Sequence, residues 1–290
     1  MRLLSATLLA AAIAAVFGCK GEAAKKETPP PASQPVTAPP PVAPAPAPKA
    51  QETPRVAGLV GHWKFDEKEG DVATDSSSSN NNGKLAGGPR RVAGKIGGAL
   101  EFDGNDDVVE IPGSPVLDSL QKGSYTISAW FKPADTPPGQ DSNNKAQYGI
   151  VNKTGWHTGL HYSNDNKFAF DHWIQTDKPD EPQWSGIGTW DDTYDPGKWY
   201  HVVGVVDTAA CTASIYINGE SNKTSDSWDN KAKAREYGQV TWKIGYAAPG
   251  AQEWAWPAKG VIDDVRLYNR ALKDSEIADL YKAGAAGQDK

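Results

Sequence analysis

The sequence predicts an all-β body, two antiparallel sheets packed as a sandwich with one short C-terminal helix, carried behind an N-terminal arm that cannot fold. Three observations predict it. Half of the 22 prolines in 290 residues lie in residues 1–56, which hold no Trp and no Tyr. A packed core is therefore confined to about 57–290, a span of single-domain size. After Gly58, apolar residues recur with a period of two in short segments broken by Gly, Asn, Asp, Ser and Pro, as half-buried strands require. Only at Ile277, Leu280 and Tyr281 does the spacing become helical, with Asp274 expected as N-cap.

Residues 1–18 read as an address. Arg2 precedes an apolar run from Leu3 to Phe17, too short for the ~20 residues that span a bilayer and typical of a signal peptide. Its end, Val16-Phe17-Gly18-Cys19, resembles the lipobox of bacterial lipoproteins. The resemblance implies a lipid on the Cys19 sulfur and cleavage after Gly18. It places the protein in the cell envelope, held to the membrane by its acyl chains. Lys20 rather than Asp after the cysteine favours the outer membrane if the organism has two. Residues 19–56 then form a Pro/Ala-rich tether, with Pro29-Pro30-Pro31 and Pro39-Pro40-Pro41. Such a chain builds neither ladder nor helix and stays extended. Residues 57–284 are the expected globular domain and 285–290 a short tail.

Within the body, Leu59 to Phe65 is expected to put Leu59, Trp63 and Phe65 on one face. Tyr125, Ile127, Ala129 and Phe131 should alternate against Thr126, Ser128, Trp130 and Lys132. Trp199 to Asp207 is apolar almost throughout, as in a strand buried on both faces. Cys211, Ala213, Ile215 and Ile217 lead into Asn218-Gly219, a hairpin signal, and Cys211 is expected as a buried thiol. Val261, Val265 and Leu267 should share one face of a late strand.

Charge and composition narrow the function. Lys+Arg 30 against Asp+Glu 36 give −6, and the first 56 residues carry twice as many cations as anions, so the body is more acidic still. An acidic surface repels phosphate backbones, which argues against nucleic acid as a partner. Two cysteines exclude a disulfide scaffold or a Cys-rich zinc module. His157 and His161 on one strand would stand ~13 Å apart, so zinc is not expected there.

Seven segments in order carry a family resemblance: Gly61-His62-Trp63-Lys64-Phe65-Asp66-Glu67, Asp75-Ser76-Ser77 to Asn82-Gly83, Gly97 to Gly104 with Phe102-Asp103-Gly104, Tyr125 to Pro133, Trp199-Tyr200-His201-Val202, Ile215 to Gly219, and Ile262 to Leu272. Together they resemble the laminin-G-like domains of the concanavalin A-like lectin/glucanase superfamily. The resemblance implies a jelly roll of two curved sheets and a binding role rather than catalysis. It also implies a structural calcium ion at Asp263, the last-strand aspartate, with Asp66 close by. Lys273 departs from the Ser cap common in the family.

The glucan-cleaving members place three carboxylates at alternate positions of one strand. Here Glu101 to Asp106 comes nearest and lacks the third, so no enzyme is expected. The stretches 134–147 and 171–197 look longer than the family's and are taken to set specificity. Eight tryptophans, at 156, 173, 184, 190, 228, 242, 254 and 256, mostly fall in or beside polar loops. Indole faces stack on the C–H faces of sugars while Asp, Asn and His serve the hydroxyls. The expected ligand surface is Trp156, His172, Trp173, Trp184, Trp190, Asp191 and Trp254. The expected partner of a monomeric body is a glycan, with an envelope or extracellular protein as the alternative and glycoside hydrolysis behind both.

Overall fold

The computed structural model describes residues 56–138, 147–153, 158–175, 183–189, 191–227, 233–234, 240–247 and 255–286. Cys19, the signal segment, and nearly all of the tether lie outside them, as do Trp156, Trp190 and Trp254.

In chain order the strands are β1 (Leu59–Trp63), β2 (Val72–Ala73), β3 (Gly83–Ala86), β4 (Arg90–Ala93), β5 (Gly98–Asp103) and β6 (Val108–Ile111). A short helix α1 (Pro115–Ser119) follows. Then come β7 (Tyr125–Pro133), β8 (Gln147–Lys153), β9 (Thr158–Ser163), β10 (Phe168–Gln175), β11 (Gln183–Gly188), β12 (Tyr200–Asp207), β13 (Thr212–Ile217) and β14 (Glu220–Ser227). The chain ends with β15 (Lys233–Ala234), β16 (Trp242–Ile244), β17 (Tyr246–Ala247), β18 (Trp256–Pro257), β19 (Lys259–Tyr268) and helix α2 (Asp274–Ala285). One sheet runs β14-β13-β12-β7-β19-β5-β4, with β1 also on β19; the other runs β11-β10-β9-β8-β16-β6-β3-β2, with β15 also on β10. All these pairings are antiparallel.

The core lies between the sheets. Trp63, Phe102, Ile127, Phe131, Val202, Ile215 and Leu267 from the first meet Val109, Leu160, Tyr162, Phe168, Phe170 and Trp242 from the second. Contact is close: a Cβ at Gly204 would stand 2.5 Å from the Phe170 ring. The alternation expected for β7 holds, with Tyr125, Ile127, Ala129 and Phe131 in this core. The opposite face of β7 is buried too, because α2 covers it. Ile277 and Leu280 pack there with Val203, Val205, Tyr216 and Tyr268. Asn218 (φ 53°) and Gly219 (φ 82°) make the expected left-handed turn between β13 and β14.

Four local expectations need correction. β1 shifts register between Leu59 and Gly61, so Val60 enters the core and Leu59 faces the α2 side. β19 shifts between Asp263 and Arg266, with Asp264 left-handed at φ 48°; hence Ile262, not Val261, joins Val265 and Leu267 in the core. A bulge adds one residue and inverts the faces beyond it. The N-cap of α2 is Lys273 rather than Asp274. Its N–H donates to Glu276 at 2.9 Å, half of a capping box, while Asp274 accepts from the Tyr216 hydroxyl at 2.8 Å. Cys211 is half-buried in the turn before β13, left-handed at φ 55°.

Candidate functional site

A pocket of about 300 Å³ opens at one end of the sandwich. Four stretches distant in sequence build it: the turn after β5 (Asp103, Gly104, Asn105), the segment after β7 (Asp135 to Pro138), the start of β8 (Gln147, Tyr148), and Ala255 through β18 to Lys259. Each is placed by the frame. Gly104 (φ 87°) turns the chain out of β5, and Asp103 locks that turn by accepting from the Asn105 backbone N–H (2.8 Å) and Nδ2 (2.9 Å). Lys259, first residue of β19, pairs with Asp103 in register. The Ala134 N–H donates to the Lys259 carbonyl at 3.0 Å, fixing the segment that follows β7.

Asp135 is the polar hub. Tyr148 Oη donates to its Oδ1 and Lys259 Nζ to its Oδ2, each at 2.5 Å. Burial pushes this carboxyl up, but the bonds from Lys259 and Tyr148 outweigh it and hold it below the usual carboxylate range. Burial, aided by Asp135, drives the Tyr148 phenol well above its ordinary value. Asp103 is also held low, by its hydrogen bonds to Asn105. Both pocket carboxylates are therefore ionised at neutral pH. Asp106 and Asp107 stand behind the turn, and the carboxylate oxygens of 103, 106 and 107 lie within 4.8 Å of one another. Trp256 forms an apolar wall.

Trp256 also reaches the outer face of the second sheet, where its ring meets His161 edge-on at 6.0 Å. His161 Nε2 is 3.2 Å from Asp171 Oδ2. Beside them the Asn152 side chain, 1 % exposed, has neither amide atom hydrogen-bonded among the described residues. Gly149 and Gly159 make its room, since a Cβ at either would collide with that amide. Buried polar atoms without partners are rare and ask for an explanation.

Further along β19, Asp263 and, from the segment after β1, Asp66 grip one loop. Asp66 Oδ1 accepts from the Gly98 N–H and Asp263 Oδ2 from the Ile96 N–H, both at 2.8 Å. Asp263 is fully buried, and its Oδ1 has no hydrogen-bond partner among the described residues. Burial pushes its pKa up to about 8. An orphaned oxygen on a buried carboxylate, next to backbone carbonyls and a second aspartate, fits the hard-oxygen environment that Ca²⁺ takes.

The expected ligand residues fare unequally. His172 lies in the interior, 1 % exposed and stacked on Phe170 at 5.9 Å, so it is not a surface contact; burial lowers its pKa to about 4. Trp173 and Trp184 occupy facing positions of the β10–β11 ladder. Asp191 is exposed and does not line the pocket. Of the two stretches expected to set specificity, 134–147 contributes Asp135 to Pro138 and Gln147, whereas no described residue of 171–197 lines the pocket; Ala255 and Trp256 also line it. Asp103, Asn105, Tyr148 and Lys259 were not expected in a ligand site. The Asp-Gly-Asn turn is the sequence signal that marks the first two.

The description "Concanavalin A-like lectin/glucanases superfamily" belongs to the family model that matches residues 103–278. No curated protein matches the chain. Among solved structures, domain 4 of AbnA, a GH43 extracellular arabinanase from Geobacillus stearothermophilus in complex with arabinotriose, is 20% identical; the match covers 77% of this chain and 98% of that one, with a TM-score of 0.56. The Trypanosoma rangeli sialidase, as a covalent intermediate with 2,3-difluorosialic acid, is also 20% identical; 78% of this chain matches but only 33% of that one, with a TM-score of 0.55. The binding domain of Paraclostridial Mosquitocidal Protein 1 is 18% identical, covering 77% and 52%, with a TM-score of 0.56. At these identities the likeness is one of fold alone. Because the family model spans well over half of the 290 residues, the chain belongs to the concanavalin A-like lectin/glucanases superfamily.

Proposed function

We propose that this protein is a lipid-anchored envelope lipoprotein whose sandwich binds a saccharide without cleaving it, in the pocket walled by Trp256. One observation carries the reading: an indole and a phenol share one cavity with Asp103, Asn105, Asp135, Gln147 and Lys259. A sugar needs an apolar face for its C–H groups and a few directional donors and acceptors for its hydroxyls. The arabinanase domain, in complex with arabinotriose, is a saccharide complex on a similar frame. Non-catalytic binding is supported by the low pKa of both pocket carboxylates. Glycoside hydrolysis usually needs one carboxyl raised enough to donate a proton near neutral pH.

A calcium ion held by Asp263, with Asp66 on the same loop, would serve as a staple between the loop at 94–98 and β19. Calorimetry showing uptake that Asp263→Asn abolishes checks it; a melting temperature indifferent to EDTA, with no heat of binding, removes it. Cys19→Ala should release the protein from membranes into the soluble fraction. The saccharide reading is tested by exposing the full chain, in mild detergent, to immobilised polysaccharides. Retention on at least one, lost in Trp256→Ala, is the expected result. Capture only of envelope proteins, unaffected by free sugar, would replace this reading with protein adhesion.

A further inference from the structure

We infer that the pocket takes saccharides that are uncharged or bear amino groups and rejects acidic ones, with Asp103 as the residue that sets the preference. This rests on the saccharide reading and sharpens it.

The lining carries two carboxylates, Asp103 and Asp135. Among the described residues its only cation is Lys259, already engaged by Asp135 at 2.5 Å. No arginine is among the described lining residues, whereas recognition of a sugar carboxylate draws on the planar guanidinium fork or an uncommitted ammonium. Asp106 and Asp107 add negative charge directly behind Asp103. An entering carboxylate would lose water and meet like charge. A hydroxyl or an ammonium instead donates to the same oxygens, since an ionised carboxylate only accepts. Asp103 is the open one of the pair. Asp135 has both oxygens bonded to Tyr148 and Lys259, while Asp103 serves only local turn donors and stays solvent-facing. The hydrogen bonds that hold Asp103 low keep it charged across the neutral range.

Matched pairs of immobilised polysaccharides that share ring stereochemistry test this: galactan with polygalacturonate, mannan with a mannuronate-rich alginate, and chitosan with polyglucuronate. The expected result is binding to at least one neutral or amino member, with its acidic counterpart at least tenfold weaker. Asp103→Asn should narrow the gap at least threefold at unchanged melting temperature. Should that turn destabilise, Asp106→Asn, on an exposed side chain, gives a smaller narrowing without touching the turn. Equal or tighter binding of an acidic member overturns the selectivity and leaves the saccharide reading in place. Binding to none of the six overturns both.

Discussion

Beneath α2, on the outer face of the first sheet, Asp264 is enclosed by His62 Nε2 at 2.6 Å and by Arg266 Nη2 and Nε at 3.0 and 3.1 Å. At the pocket, by contrast, Asp103 stays in solvent and Asp135 turns into an open cavity. Both regions gather carboxylates, cations and aromatic rings. The first is sealed: the rings of Trp130, His201 and Tyr281 cluster with centroids 5.1, 5.7 and 6.3 Å apart, and Ser128 Oγ bonds His201 Nε2 at 2.9 Å. Such a network fixes the helix on the sheet. The second leaves polar capacity unspent beside an indole wall. The same residue types thus mean structure in one place and recognition in the other, and closure tells them apart.

The largest effect should come from opening the sealed face. Arg266→Ala strands Asp264 and His62 in a dry site and should cost about 3–5 kcal/mol in chemical denaturation. The pocket is remote from it, so saccharide affinity per folded molecule should stay within twofold. A parallel fall in affinity would mean that the two regions are energetically one.

Acid acts next, on His201 within this closed side and on His172 in the interior beside Phe170. Burial holds His201 at about 3 and His172 at about 4, against ~6.5 in an unfolded chain. The unfolded state therefore takes up protons first. Stability is fully present above pH ~6.5 and is lost as pH falls toward those values, by up to about 1.4 kcal/mol per pH unit for each imidazole. Urea midpoints across this range should show the slope, and His201→Gln should flatten it. A flat profile in the unsubstituted protein would show these rings to be less secluded than their geometry indicates.

At the pocket the expected change is in binding. Trp256→Ala should weaken a retained saccharide at least tenfold, about 1.4 kcal/mol. The fold should survive, because among the described residues β18 pairs only with the two-residue β17. Loss of the fold together with binding would make Trp256 part of the frame and erase the contrast.

Much of the frame was legible because alternation and turn chemistry are local. Tyr125 to Phe131, the hairpin at Asn218-Gly219 and the helical spacing of Ile277 and Leu280 need no knowledge of distant partners. Parity failed at Leu59 and Val261, where bulges inserted a residue that no local pattern announces. The pocket was legible only in part. Stretches 134–147 and 171–197 stood out by length and composition, and only the first supplies described lining residues; that Asp103 meets Lys259, or Tyr148 meets Asp135, follows from strand order and not from spacing. His172 shows the converse. Its neighbours in sequence suggested a polar surface, yet it shares a face with Phe170 and is buried.

The smallest effect tests how the pocket holds itself open. Tyr148→Phe removes one donor to Asp135 and leaves the ring, so the packing of a side chain that is 5 % exposed is kept. The cost should be about 1 kcal/mol, the net worth of one hydrogen bond. It is limited because Lys259 still holds the other carboxylate oxygen. With one of its two donors gone, Asp135 should titrate closer to the ordinary carboxylate value, which carboxyl NMR can follow residue by residue. Neutral saccharide affinity should change less than threefold, since Asp103 and Trp256 are untouched. An unmoved Asp135 would assign its whole depression to Lys259. The phenol would then be a wall of the cavity like Trp256, and the pocket would rest on a single ion pair half-exposed to water.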